Sequence, residues 1–133
     1  MVQRVEAVHL DTHVAVWIFT AGGTTDLLSK RARATINGAA AILISPAVMV
    51  ELALLRESRR IASTAQEYLI ALRESIGLEL AGHSFGEIAD EATRLAWTRD
   101  PLDRLIAAHA RIAGAPLVTR DRTIRANLDL AVW

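Results

Sequence analysis

Four acidic residues occupy positions where apolar side chains prevail. They lie at the end, at the start or within the stripe of an apolar segment: Asp11, Glu51, Asp103 and Asp121. Two carboxylates about 4 Å apart repel by on the order of 4 kcal/mol at an effective dielectric constant of about 20. A bound divalent cation relieves that repulsion and gives a reason for gathering the acids. The placement therefore predicts one acidic site that binds a cation.

Helix capping is an ordinary alternative for most of these acids. Asp11 and Asp121 directly follow apolar segments, where an aspartate often caps the next helix. Pro101 is suited to the first position of a helix, so Asp100 is its natural N-cap. Asp103 then falls at the third position, where an acid favours the helix dipole. Capping alone leaves a structural and a functional interpretation open for each residue.

Glu51 is harder to explain by secondary structure. On a helix that begins at Pro46, it lies within the arc of Val48, Leu52 and Leu55. A carboxylate on an apolar face is costly unless it reaches water, a cation or hydrogen-bond donors. The two interpretations are a glutamate at the rim of that face and a member of the acidic site.

Short apolar strands alternate with helices along the chain. The predicted strands span 5–10, 41–44, 78–81, 116–119 and 128–132. The predicted helices span 12–20, 25–37, 46 to about 56–60, 64–75, 85–97 and 101–113, with a helical turn over 122–127. This alternation favours an α/β sandwich with a mainly parallel sheet of four to five strands. Ligands of such sheets bind outside the carboxyl ends of the strands, where Asp11 and Asp121 fall.

Composition narrows the class of protein. The 133 residues suit a single domain over residues 1–133, and 52% of them are apolar. The chain has no Cys, so zinc sites built on cysteine are excluded and a reducing cytosol is compatible. No apolar stretch approaches the roughly 20 residues that span a bilayer. We therefore expect a soluble, cytoplasmic protein.

The formal net charge is zero, but the charges are unevenly distributed. Residues 94–125 contain seven Arg against three acids. This local excess is explained either by phosphate binding or by a general use of Arg in a chain with one Lys. The four histidines, at positions 9, 13, 83 and 109, have no paired metal-ligand spacing and are predicted to be structural.

Four segments resemble, in order and spacing, the PIN-domain ribonucleases, and more narrowly the VapC toxins of bacterial toxin–antitoxin pairs. These segments are His9–Val14, Ser45–Leu52, Arg99–Ala108 and Leu117–Asp121. The most specific parts are D-P-L-D-R-L-I-A-A and V-T-R-D. Together the matches extend over essentially the whole chain.

The resemblance implies a PIN-like three-layer α/β/α sandwich whose acidic quartet binds Mg²⁺ or Mn²⁺. Asp11 and Asp103 would be the firmest ligands, with Glu51 and Asp121 completing the quartet. Thr12 and Thr119 match positions whose hydroxyls steady the site, whereas Asp100 does not match a quartet position. The implied function is a metal-dependent endoribonuclease toxin, which cuts RNA phosphodiester bonds.

RNA binding and partners are further expectations. Arg104, Arg120 and Arg122 are placed to contact RNA phosphates. Aromatic residues make up only 5% of the chain, which predicts a minor role for base stacking. The resemblance also implies a homodimer and a cognate VapB-type antitoxin whose C-terminal segment occupies the active-site groove. Trp17, Phe19 and Leu27–Leu28 are predicted to form either a partner interface or part of the core.

Two competing hypotheses keep the fold and change the function. In one, the acidic pocket belongs to a Mg²⁺-dependent phosphoryl-transfer domain. Such a site commonly uses paired acids after the first strand and a nearby Lys, whereas this chain has Asp11 alone there and its one Lys is Lys30. In the other, the protein is a catalytically silent PIN-like scaffold that binds proteins and whose carboxylates are helix caps.

Overall fold

The computed structural model describes residues 5–133 and contains one sheet of five parallel strands. The strands lie in the order β3-β2-β1-β4-β5. Their bounds are β1 Val5–Leu10, β2 Ala39–Ile44, β3 Glu79–Leu80, β4 Leu117–Val118 and β5 Ala131–Val132. The predicted α/β sandwich with a parallel sheet is confirmed. The N-terminal part of the predicted domain, residues 1–4, lies outside the described residues.

In the described part of the chain, seven helices connect and cover the strands. They are α1 Thr12–Thr20, α2 Lys30–Asn37, α3 Pro46–Glu57, α4 Ala65–Ile76, α5 Phe85–Ala92, α6 Pro101–Ala113 and α7 Arg122–Asn127. Helix α2 packs on β1, β2, β4 and β5, while α6 packs on α3 and α5. Gly77 and Gly114 end α4 and α6 in the left-handed conformation, with φ of 68° and 61°. Glycine adopts this conformation without steric cost, which makes it a common helix stop.

Two predicted helices are shorter in the structure. Helix α2 begins at Lys30 rather than near residue 25, because the Ser29 side chain accepts a hydrogen bond from the Ala32 amide and caps it. Helix α5 ends at Ala92 rather than Trp97. There the Thr93 hydroxyl bonds back to the Asp90 carbonyl at 2.6 Å, and Arg94 pairs with Asp90. The bond from the Thr93 hydroxyl to a backbone carbonyl competes with continuation of the helix.

Strand β1 is the central strand and its C-terminal half is fully buried. Val8 and Leu10 have no exposed surface, as expected of a strand covered by helices on both faces. Leu10 is in register with Val118 of β4, and the Asp11 amide donates to the Val118 carbonyl at 3.0 Å. Residues that follow β1 and β4 are therefore neighbours at one edge of the sheet.

Three histidines pack together behind that edge. His109 Nδ1 lies 2.9 Å from the Ser45 hydroxyl, and His109 Nε2 lies 3.1 Å from His83 Nδ1. The ring of His9 meets the ring of His109 edge-on at 5.2 Å. Burial, followed by repulsion from the neighbouring histidines, lowers the pKa of both His9 and His109 to about 4. Both rings are neutral at physiological pH and act as packing groups.

The early apolar residues divide between core and surface. Trp17 and Phe19 are partly buried against the core, and Phe19 stacks on Tyr68 with ring centres 4.0 Å apart. Leu28 is buried, whereas Leu27 is 55% exposed. In residues 5–133 no helix is both long enough and apolar enough to cross a membrane.

Candidate functional site

Asp11 lies at the centre of the acidic site. It follows β1, is 3% exposed and caps α1, with its Oδ1 accepting from the Thr12 amide at 2.8 Å. Its Oδ2 accepts from the Thr119 hydroxyl at 2.6 Å. Asp11 is therefore both the N-cap of α1 and a member of the acidic site. The two bonds fix its orientation before any ligand binds.

Thr119 links Asp11 to Asp121. Its buried hydroxyl donates to Asp11 and accepts from the Asp121 amide at 3.0 Å. Asp121 in turn caps α7, because its Oδ1 accepts from the Ile124 amide at 2.9 Å. The predicted cap and the predicted edge position of Asp121 are both present. The hydroxyl of Thr119 thus joins the ends of β1 and β4 across more than a hundred residues of sequence.

Glu51 enters the site from the apolar face of α3. It is half-buried, and the Thr12 hydroxyl donates to its Oε1. Burial raises the pKa of Glu51, and the negative charges of Asp11, Asp100 and Asp121 raise it further, while the bond from Thr12 acts in the opposite direction. Glu51 therefore belongs to the same electrostatic group as the strand-end acids.

Asp103 is the most perturbed acid of the group. It lies in the first turn of α6, whose N-cap is Asp100. The Asp100 carboxylate accepts from the amides of Leu102 and Asp103 at 2.9 and 3.1 Å, so the predicted capping role is observed. The pKa of Asp103 rises to about 7, first through burial and then through repulsion from Asp100, Asp11, Glu51 and Asp121. Asp103 is near half-ionised at neutral pH.

The donor set suits a hard divalent cation. All of its members are carboxylates, and oxygen ligands are those that Mg²⁺ and Mn²⁺ prefer. Burial and then mutual repulsion raise the pKa of Asp103 to about 7, and a cation would relieve that repulsion. Within residues 5–133 no three acidic or histidine side chains are already arranged around one ion. The carboxylates therefore suit a divalent cation by their chemistry and charge. Binding of the metal would bring them closer together.

His13 is a site residue that the sequence did not single out. Its Nε2 accepts from the Arg120 amide at 2.9 Å, which places the ring proton on Nδ1. Nδ1 lies 3.5 Å from Asp11 Oδ2. The only signal was the spacing D-x-H at positions 11–13, which carries no specific meaning without the fold.

The three predicted RNA-contacting arginines differ in their surroundings. Arg104 is half-buried, and its Nε donates to the Thr98 carbonyl at 2.6 Å. Arg120 is exposed, with its guanidinium 5.9 Å from the ring centre of Trp17. Arg122 is exposed on α7 directly after Asp121. Arg104 therefore stabilises the loop that precedes α6. Arg120 and Arg122 instead place positive charge at the solvent-exposed surface beside the acids.

Replacing Thr119 with Val should loosen the site without removing an acid. The change leaves Asp11 Oδ2 without its donor and the Asp121 amide without its side-chain acceptor, which should cost about 1–3 kcal/mol in the free energy of unfolding. Loss of a group that orients ligands should also weaken Mn²⁺ binding by about 10- to 100-fold. Denaturant unfolding and calorimetric titration measure the two effects. Thr123→Val on the exposed face of α7 is the matched control, and equal effects in both variants would contradict the linking role of Thr119.

Comparison with known proteins defines the class of this chain. The PIN domain family model matches residues 8–127, which is most of the sequence. The chain belongs to the PIN domain family. No curated protein matches it.

Solved structures show the same fold at low sequence identity. A toxin–antitoxin complex from Klebsiella pneumoniae matches with a TM-score of 0.62 and 18% identity, over 95% of this chain and 96% of that one. VapBC2 from Rickettsia felis, bound to a DNA fragment from their promoter, matches with a TM-score of 0.62 and 20% identity, over 94% and 95%. VapBC-1 from nontypeable Haemophilus influenzae matches with a TM-score of 0.53 and 16% identity, over 90% and 93%.

Proposed function

We propose that this PIN-domain protein is a metal-dependent endoribonuclease, the VapC-type toxin of a toxin–antitoxin pair that acts in the cytoplasm. The observation that carries the proposal is the electrostatic state of Asp103. Burial and four neighbouring carboxylates raise its pKa to about 7. A fold that gathers charges which repel one another gains from a cation, and a cation in an acidic cleft is suited to phosphodiester hydrolysis.

The quartet would hold Mg²⁺ or Mn²⁺, with Asp11 and Asp103 as the main ligands and Glu51 and Asp121 beside them. When bound, the ion would neutralise charge on the scissile phosphate and on the leaving oxygen. Asp11 is the carboxylate with the best-defined orientation, since Thr12 and Thr119 each donate to one of its oxygens. This supports its proposed role as the fixed ligand around which the others arrange.

Proton transfer would be carried out by a carboxylate other than the two proposed main ligands of the ion. Glu51, with its raised pKa, and Asp121 are the candidates for positioning the attacking water and accepting its proton. The Thr12 hydroxyl steadies Glu51 in this role. Arg120 and Arg122, and the unbonded part of the Arg104 guanidinium, would hold the RNA phosphates next to the acids.

An exposed apolar surface beside the site supports the proposed protein partners, an antitoxin and a second copy of the chain. Phe85 is 71% exposed, Val50 is 53% exposed and Leu54 is 50% exposed. Val50 and Phe85 line a cavity of about 270 Å³ between α3, α5 and α6. Leu102, next to Asp103, lines the same cavity. A partner seated there would cover apolar side chains and reach the acidic site.

The test of this function is cleavage of RNA by the purified chain. Total cellular RNA is incubated with the protein in Mn²⁺ or Mg²⁺, and new 5′ ends are mapped. We expect discrete cleavage sites that disappear when a chelator is present and return with excess metal. The same 5′ ends formed in the presence of the chelator, or none formed with either metal, would contradict the proposal.

A further inference from the structure

A second surface next to the acids combines positive charge with aromatic rings. We call it the Arg–Trp surface and define it by its residues: Arg31, Arg120, Arg122, Arg125, Trp17 and Trp133. It borders two cavities. One, of about 390 Å³, is lined by His13, Trp17, Arg120, Asp121 and Arg122. The other, of about 400 Å³, is lined by Arg31, Arg122, Arg125, Ala126, Ala131 and Trp133.

The two cavities form one continuous path that starts at the acidic site. Arg122 lines both of them, and Asp121 of the quartet lines the first. The rings of Trp17 and Trp133 meet with their centres 5.5 Å apart and their planes tilted by 57°. Trp17 also packs edge-on against His13, which lies beside Asp11. The path therefore leads from the carboxylates along α7 to α2 and the last residue of the chain.

The positive charges of this path are available to a ligand. All four of its arginines are exposed, and none of them takes part in an ion pair within residues 5–133. Arg94 and Arg111, by contrast, are both paired with Glu91. Arg31, Arg122 and Arg125 come from two different helices and converge on a single cavity. Such convergence of unpaired guanidinium groups suits a polyanion.

The aromatic rings of the Arg–Trp surface indicate which class of polyanion it would bind. Trp17 and Trp133 are partly exposed and lie within the same path as the arginines. Proteins that bind single-stranded nucleic acid combine a positive groove for the backbone with aromatic side chains on which bases stack. Although only 5% of the residues are aromatic, two of the three tryptophans are concentrated on this surface.

We propose that a single-stranded segment of RNA next to the cleavage site lies along the Arg–Trp surface. Its phosphates contact Arg122, Arg125 and Arg31, and its bases stack on Trp17 and Trp133. This inference rests on the proposed ribonuclease function and adds the direction in which the RNA strand extends from the acidic site. It also assigns substrate binding to residues 31, 125, 17 and 133, which lie outside the acidic quartet. The surface selects unpaired RNA, because its rings need free base faces.

Binding is measured separately from cleavage, so that the two proposals can fail independently. The whole chain is titrated in chelator against a fluorescein-labelled single-stranded 12-mer RNA, followed by fluorescence anisotropy. Arg31→Gln/Arg125→Gln is expected to weaken binding at least about tenfold at low salt. Each lost phosphate contact reduces the dependence of log affinity on log salt by about 0.7, so the slope should flatten by about 1.4. Arg33→Gln/Arg60→Gln removes the same charge from exposed positions elsewhere and should change binding less than about twofold.

A second arm tests the aromatic part of the surface. Trp133→Leu keeps an apolar side chain but removes the ring, and should weaken binding of the single-stranded 12-mer by roughly tenfold. The matching RNA duplex should bind more weakly than the single strand and should be insensitive to this change. Should Trp133→Leu unfold, quenching of the Trp17 and Trp133 fluorescence by RNA in a Trp97→Phe variant provides the same information. Absence of quenching contradicts stacking.

Three outcomes would overturn the inference. Equal binding by the Arg31→Gln/Arg125→Gln variant and its control would show that RNA lies elsewhere. Tighter binding of duplex than of single strand would exclude base stacking. Binding of an acidic peptide that competes with RNA and is weakened by the same arginine changes would assign the surface to a protein partner. RNA binding on this surface without any cleavage would instead contradict only the ribonuclease function.

Discussion

Replacing Asp103 with Asn is expected to abolish RNA cleavage and to make the folded protein more stable. Cleavage should fall at least about a hundredfold, because a proposed metal ligand is lost and metal contributes several kcal/mol to transition-state stabilisation. The unusual part of this prediction is the expected gain in the stability of the folded protein. Asp103 is half-buried near four other carboxylates, and the neutral Asn removes the cost of burying a charge and the repulsion while keeping nearly the same shape.

The pH dependence of this gain follows from the direction of the pKa shift. The pKa of Asp103 is raised from 3.8 to about 7 in the folded state, so the folded chain binds more protons than the unfolded chain between those values. Its contribution to stability is therefore full below about pH 4 and is lost as the pH rises through 7. The shift corresponds to at most about 4 kcal/mol, which partial exposure to water reduces to on the order of 1–2 kcal/mol.

Thermal melts in chelator measure the stability difference between Asp103→Asn and the unmodified chain. The variant should melt several degrees higher at pH 8 and at nearly the same temperature at pH 4. Asp129→Asn is the matched control, because Asp129 is exposed and outside the acidic group. Lower stability of Asp103→Asn at pH 8 would show that the carboxylate is a structural cap rather than a strained ligand.

Adding Mn²⁺ or Mg²⁺ to the metal-free protein is expected to raise its melting temperature and to switch on cleavage. A ligand at one hundred times its Kd stabilises the folded state by about 2.7 kcal/mol, which is on the order of 10 °C for a chain of this size. The rise should be much smaller in Asp103→Asn. It should also be smaller at pH 5.5 than at pH 8, because protons compete with the metal at Asp103 and Glu51.

Ionic-strength-matched KCl separates specific binding from general screening of the acidic charges. Calorimetric titration gives the stoichiometry and distinguishes one ion from two. An unchanged melting temperature together with no heat of binding would favour the scaffold hypothesis, in which the carboxylates serve only as helix caps. Binding of metal without cleavage would support the cation site and contradict the nuclease function.

Strand ends were the part of the fold that the sequence predicted best. Short apolar runs followed by an acid located the ends of β1 and β4, and parallel pairing then required Asp11 and Asp121 to meet at one edge. The position of Glu51 in an apolar arc also carried information, because burial of a charge demands a compensating environment. The observed bond from the Thr12 hydroxyl provides part of that environment, whereas the neighbouring acids oppose it by repulsion that a cation would relieve.

Contacts between segments that are distant in the sequence could not be predicted from the sequence patterns. The pairing of Thr119 with Asp11, of His13 with the Arg120 amide and of Trp17 with Trp133 each joins the first helix region to the last part of the chain. Composition counts three tryptophans but does not say that two of them meet. The role of Asp100 was predicted as a cap, yet its charge also raises the pKa of Asp103, an effect that only spatial proximity produces.

The placement of β1 between β2 and β4 has a consequence for synthesis of the protein in the cell. Asp11 emerges from the ribosome early, but the Thr119 hydroxyl that orients it and the β4 strand beside it come more than a hundred residues later. Contacts of such long sequence separation form late in folding. A nascent chain therefore carries its first carboxylate without the rest of the site. For the proposed ribonuclease, this order would leave the acidic site incomplete until β4 has been synthesised and has paired with β1.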